Sequence, residues 1–228
     1  GRVLSTLSTA LKLSVANIPR LAGTTAIFND VSSSMDSPLN TSRSRTAVSM
    51  LNSEVAALMA SMAFGFSDRA ITGKFGQNLV MMALDSNDSI ITNMKKMAQN
   101  DNAGHSTNGY LTIQYLNSTK TKVDRVLIFT DTELWDSTYR DSNLATEWKK
   151  YVQSVNKDAK LYIFNLAGSP TLQLPEGHKN VCTISGWSDR VFDVMTAFEY
   201  LNADPLKLVE SYSAPSMVKK AEDSDEDE

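Results

Sequence analysis

Cysteine is almost absent from this 228-residue chain: Cys182 stands alone, so no internal disulfide forms and a reducing compartment is the expected home. The Asn-X-Ser/Thr triplets at Asn40, Asn87 and Asn117 then read as chance matches. No apolar run approaches the roughly 18 to 20 residues of a membrane span, and no charged-then-apolar leader opens the chain. With ten Gly and six Pro, collagen-like and coiled-coil readings fall away. No fixed-period repeat is visible, and the phosphate-cradling pattern Gly-x-x-x-x-Gly-Lys-Ser/Thr is missing. An excess of positive charge is missing too. The chain carries 22 basic and 26 acidic residues, and six of those acids fall in the last seven positions, from Glu222 to Glu228. The remaining body is close to neutral, too weakly charged to displace counterions from a phosphate backbone.

What is present suits one compact domain: 42% of the residues are hydrophobic, enough for a full core. Apolar residues at helical spacing over 3–15 predict an amphipathic helix, stopped at Ile18-Pro19. A buried strand is expected over 24–29, then a polar serine loop and a long helix over 47–64. Two short runs, 70–75 and 79–84, flank Gly76-Gln77-Asn78 and predict an antiparallel hairpin. A helix over 89–97, capped by Asp88, a polar loop over 99–108 and a helix over 111–116 follow. Arg125–Thr130 is the clearest buried strand, and 161–166 and 181–184 are two more. Helices over 144–155 and 191–201 complete the pattern. Alternating strands and helices predict an α/β fold, a doubly wound, mainly parallel sheet with the hairpin as antiparallel edge. The expected divisions are an N-terminal helix (1–20), the α/β domain (21–204) and an extension with an acidic, disordered tail (205–228). Because the chain begins with Gly1-Arg2, a fragment of a longer protein is expected.

Two strong strands end in aspartate, and open α/β sheets carry their ligand sites at the carboxyl ends of strands. After the first comes Asp30-Val31-Ser32-Ser33-Ser34, one carboxylate and two hydroxyls on alternate residues of a tight loop. After the second comes Asp131 in Phe129-Thr130-Asp131-Thr132-Glu133, and the loop before Leu111 offers Thr107. Hard oxygen donors of this kind suit Mg²⁺, or Mn²⁺, which takes near-octahedral oxygen coordination and retains water. The five candidate ligands are therefore Asp30, Ser32, Ser34, Thr107 and Asp131.

This order of motifs resembles the metal-ion-dependent adhesion site of von Willebrand factor A domains. Four longer stretches, Ala10-x-x-x-Ser14-x-x-Asn17-Ile18-Pro19, Asp30-Val31-Ser32-x-Ser34-Met35, Phe129-Thr130-Asp131-x-Glu133 and Gly186-Trp187-x-x-x-Val191-x-Asp193-Val194-Met195, resemble the Ro autoantigen family. In that family a ring of helical repeats, which binds small structured RNAs and the ends of misfolded RNAs, is joined to a carboxyl-terminal A domain. The resemblance implies a non-enzymatic, metal-dependent binding module of a ribonucleoprotein component, with hydroxyls of Ser32, Ser34 and Thr107 and carboxylates of Asp30 and Asp131 around the metal. It implies a protein partner captured through an acidic side chain, small noncoding RNA held only by upstream repeats, no membrane, and a cytoplasmic or also nuclear location. Two positions depart from the family: Ser33 replaces its usual Gly or Ala, and His105-Ser106-Thr107-Asn108 replaces Gly-Gly-Thr-Asp, so that Ser106 competes with Thr107 as a ligand.

Two rival readings stand beside this one. A Mg²⁺-dependent phosphoryl-transfer enzyme also places aspartates at strand ends, but it calls for a second acid near the first, where this chain has Ser32. A metal-free scaffold would keep the Asp30 loop only for its own backbone hydrogen bonds. His105 either gates the site or is a solvated bystander, the second reading also serving for His178. Met59, Met62, Met81 and Met82 fall at core positions, and Lys95-Lys96 and Lys149-Lys150 read as solvated helix faces. Cys182, in a buried strand, has no reason to be reactive.

Overall fold

Strand order in space departs from strand order in sequence, and that departure makes room for a site. The computed structural model describes residues 6, 9, 10, 18, 20–39, 50–131, 143–167, 180–187 and 190–200. Its strands are β1 (Leu21–Asp30), β2 (Ser67–Phe75), β3 (Leu79–Met82), β4 (Arg125–Thr130), β5 (Lys160–Asn165) and β6 (Val181–Ser185). They form one sheet in the order β3-β2-β1-β4-β5-β6. Every pairing is parallel except β2 with β3. The chain winds outward from β1 to β3, then crosses back to lay β4 on the other side of β1. The carboxyl ends of β1 and β4 thus flank the point where the winding reverses, the place where such sheets open a crevice.

Helices α1 (Asn52–Phe66), α2 (Ile90–Ala98), α3 (Tyr110–Thr119), α4 (Leu144–Ser154) and α5 (Arg190–Tyr200) cover the sheet. The period of two along each strand divides the core. Ile27, Leu127, Phe129 and Phe164 face α1, α2 and α5, while Ala26, Phe28, Ile128 and Ile163 face α3 and α4. Because both faces are covered, β4 reads as a continuous apolar run and is buried at every residue. Ala56, Ala57, Ala60 and Ala63 of α1 are fully buried, and their small side chains let this helix lie close against the sheet.

The element order follows the sequence reading, and the differences have local causes. β1 starts three residues early, through a register shift at Gly23, whose φ of +84° suits glycine. Beside it Thr24 donates its N–H to the Asp124 carboxylate at 2.7 Å. Met50 and Leu51 precede α1, because Leu51 is bridged to Pro38 and held extended; Glu54 Oε2 accepts its N–H at 3.0 Å. Residues 47–49 lie outside the described residues. The cap of α2 is Ser89, not Asp88: Ser89 Oγ accepts the Thr92 N–H at 3.0 Å, while Asp88 pairs with Lys96 at 2.6 Å. Met59 and Met62 are buried, but Met81 and Met82, on the edge hairpin, only half so. Most of the expected N-terminal helix, His178, and the whole 205–228 extension lie outside the described residues.

Candidate functional site

Asp30 closes β1 and Asp131 follows β4, so the parallel pairing of these strands brings the two carboxylates to one end of the sheet. Between them the chain leaves β1 and tightens into a short 3₁₀ turn, Ser33–Asp36, which displays Ser34 beside Ser32. Ser32 Oγ stands 3.2 Å from Ser34 Oγ, and Ser34 Oγ donates to Asp131 Oδ1 at 2.9 Å. Asp30 lies beneath. Its Oδ1 accepts the Ser32 N–H at 2.9 Å and its Oδ2 accepts the Thr130 hydroxyl at 2.6 Å. Exposure rises from Asp30 at 0% and Ser32 at 1% to the half-buried Asp131 and the exposed Ser34, so the site opens to solvent on the Ser34 side.

Burial pushes the Asp30 carboxyl up to about 6, against the lowering effect of the Thr130 and Ser32 hydrogen bonds, and the nearby Asp131 charge adds to the rise. A carboxylate kept ionised there lacks compensation. Among the described residues no three His, Cys, Asp or Glu side chains converge as a metal cluster; the arrangement is two carboxylates with hydroxyls between them. Its spacing fits a small hard cation. Neighbouring oxygens of an octahedral Mg²⁺ shell, at about 2.0–2.1 Å from the ion, stand roughly 3 Å apart, close to the two separations in the Ser32, Ser34, Asp131 chain.

The loop that carries Thr107 is tied to the serine loop by the Ser33 N–H, which donates to the His105 carbonyl at 3.1 Å. Thr107 follows two residues later and is half-buried. Four of the five expected residues therefore form one hydrogen-bonded group, and the fifth sits on the adjoining loop outside it. Ser106 is exposed. His105 is no bystander: its Nδ1 lies 3.0 Å from Ser33 Oγ, so the two departures from the family pattern meet each other. Asn100 secures the same loops, its amide nitrogen donating to the Val31 and Gly104 carbonyls at 2.8 and 2.9 Å. The contributions of Thr130 and Asn100 were not visible in the sequence, since their partners Asp30 and Val31 lie 100 and 69 residues away. For Ser33 and His105 the departures themselves were the signal.

Comparison with known proteins decides the family. The family described as the Ro60 vWA domain matches residues 25–199. The chain belongs to that family. Among solved structures, the Ro (RSR) protein of Deinococcus radiodurans is similar in fold, with a TM-score of 0.69 at 20% identity. The match covers 88% of this chain and 39% of that one, so the chain spans well under half the length of that relative. An aerotolerance-related membrane protein from Bacteroides fragilis aligns over 78% of this chain and 98% of its own, at 10% identity and a TM-score of 0.46, too low to carry an argument. No curated protein matches the chain. Among the described residues no helix is long and apolar enough to cross a membrane.

Proposed function

We propose that this Ro-type A domain is a metal-ion-dependent binding module of a Ro-like ribonucleoprotein component, and not an enzyme. Asp30, Ser32, Ser34, Thr107 and Asp131 would hold Mg²⁺ or Mn²⁺, and the bound cation would supply a Lewis-acidic position for an acidic side chain of a protein partner. The observation that carries this reading is the run of oxygens Ser32, Ser34 and Asp131, at octahedral-edge spacing and reaching solvent at the exposed Ser34. The chain's own residues do the positioning. Thr130 and the Ser32 N–H orient Asp30 under the loop, and the Ser33 and His105 contacts hold the two loops together. Mostly neutral donors leave the cation electrophilic, which favours an incoming carboxylate.

RNA is assigned to helical repeats of a longer parent, because the body of this chain is nearly neutral and lacks the concentrated positive charge that phosphate binding uses. A cytoplasmic, or also nuclear, location goes with this reading and with a lone cysteine that burial keeps inert, its thiol pushed up to about 11. Titration of the chain with Mg²⁺ and Mn²⁺ by calorimetry tests the module. Saturable 1:1 binding that disappears in Asp30→Ala is expected. A wild type that takes up no cation at millimolar concentration identifies the site as a metal-free scaffold, its hydroxyls satisfied by one another and by Asp131.

A further inference from the structure

At its carboxyl end β1 lies between two strands, and only one of them runs into a candidate ligand. On one side β4 leads to Asp131; on the other, the register pairs Asp30 with Phe75, the last residue of β2. Phe75 and the turn after it, Gly76-Gln77-Asn78, offer neither carboxylate nor hydroxyl. Both loops of the candidate site are nevertheless fastened to this strand end.

Two consecutive carbonyls do the fastening. The Phe75 carbonyl accepts the Val31 N–H at 2.9 Å, and the Gly76 carbonyl accepts the Asn108 N–H at 2.9 Å. Val31 directly precedes Ser32, and Asn108 directly follows Thr107. Consecutive Cα atoms stand about 3.8 Å apart, so Ser32 and Thr107, far apart in sequence, are each one residue from neighbouring anchor points. Asn108 adds a second bond, its Nδ2 donating to the Gln77 carbonyl at 3.0 Å. Its own carbonyl accepts the Leu111 N–H at 3.1 Å in the first turn of α3. Earlier in the same loop, the Ala103 carbonyl accepts the Asn78 N–H at 2.7 Å. This close seating requires glycine at position 76. A Cβ there would stand 2.5 Å from the Gly104 carbonyl oxygen and 2.9 Å from that of Ala103, and both are backbone atoms that cannot swing aside as a side chain can.

We propose that Gly76 is a positioning residue for the cation site: it lets the Thr107 loop seat on the end of β2 and so sets the Thr107 hydroxyl against the Ser32 loop. This role rests on the metal site proposed above. It supplies what holds the one expected ligand that stands outside the hydrogen-bonded group of Asp30, Ser32, Ser34 and Asp131. Groups that orient metal ligands without touching the ion typically change affinity by about 10–100-fold when altered.

Calorimetric titration of the full chain with Mn²⁺ tests the role in the wild type, Gly76→Ala, Thr107→Ala and the variant that combines the two. Gly76→Ala should weaken Mn²⁺ binding by about 10–100-fold. Thr107→Ala should weaken it as well, and adding Gly76→Ala to Thr107→Ala should cost little more, because residues that act through one another are not additive. A substitution that merely loosened the fold would add its full loss in the combined variant. Should Gly76→Ala fail to fold, Asn108→Ala, which removes only the bond to Gln77 at an exposed contact, takes its place alone and with Thr107→Ala, with a smaller loss expected in the same direction. Wild-type affinity in the folded variant, or losses that add in full, would overturn the inference and leave the metal site standing. A wild type that takes up no Mn²⁺ would overturn both.

Discussion

The two ends of the β1–β4 pair treat buried charge in opposite ways. At the amino end, Arg125 is 5% exposed and pairs with Glu199 of α5 through two contacts of 2.7 and 2.9 Å; its remaining donors reach the Ala22 carbonyl and the Thr25 hydroxyl. At the carboxyl end, Asp30 is completely buried, receives only neutral donors, and faces a second carboxylate across the loop. One end neutralises its charge and fastens the last helix to the sheet. The other leaves a charge uncompensated in a place open to solvent. An uncompensated carboxylate costs stability, and in the function proposed above that cost is what the carboxyl end gives up for binding.

The largest expected effect breaks the compensated end. Arg125→Met keeps most of the volume but leaves Glu199 with no cation, and Glu199 also borders the Tyr162 hydroxyl, at 3.3 Å. Removing one partner of a buried pair costs about 3–5 kcal/mol. Urea denaturation should show an unfolding free energy lower by that order, and an unchanged value would mean that α5 is held by apolar packing alone.

Relieving the uncompensated end should act in the other direction. Asp30 titrates in the folded domain at about 6, above its usual 3.8. The folded state therefore binds this proton more tightly than the unfolded chain does. The stability it contributes is present below pH 3.8 and is lost as pH rises through 6. Two pH units correspond to about 3 kcal/mol. With cations chelated, Asp30→Asn should be more stable than the wild type at pH 8, by up to that amount, and the gap should close toward pH 4. The asparagine oxygen can still accept from Ser32, and its amide can donate to the Thr130 hydroxyl. Equal melting temperatures at pH 8 would show that the wild-type charge is already compensated.

How much of this contrast was legible in the sequence differs between the two ends. The acidic end was visible because its residues are local: Asp30, Ser32 and Ser34 alternate in one loop, and Asp131 ends the clearest strand. The sheet was legible for the same reason, since β4 and β5 are continuous apolar runs. The Arg125–Glu199 pair was not legible, because its members lie 74 residues apart and neither neighbourhood is unusual. Lys74, in the first strand of the hairpin, is fully buried, with its ammonium on the Lys96 carbonyl and the Asp101 carboxylate. Only the fold brings those groups together. Asp88 as a cap was wrong for a local reason: Ser89, one residue closer to the helix, takes the Thr92 N–H, which frees Asp88 for Lys96.

The smallest expected effect on stability sharpens the comparison at a single hydroxyl. Ser34 is exposed, and its Oγ bonds Ser32 and Asp131, so Ser34→Ala should cost about 1 kcal/mol or less. If the hydroxyl serves a cation, the same substitution should weaken Mn²⁺ binding well beyond its effect on melting. Parallel small losses in both would place Ser34 in a purely structural role.

The central claim, that the carboxyl end of the sheet is left charged in order to take up a cation, is tested most directly by crystals soaked in Mn²⁺ and measured for anomalous scattering. A single peak bounded by Ser32, Ser34 and Asp131, absent from crystals of Asp30→Ala, is the expected result. No peak under saturating Mn²⁺, with those three side chains ordered in the arrangement described, would contradict the claim.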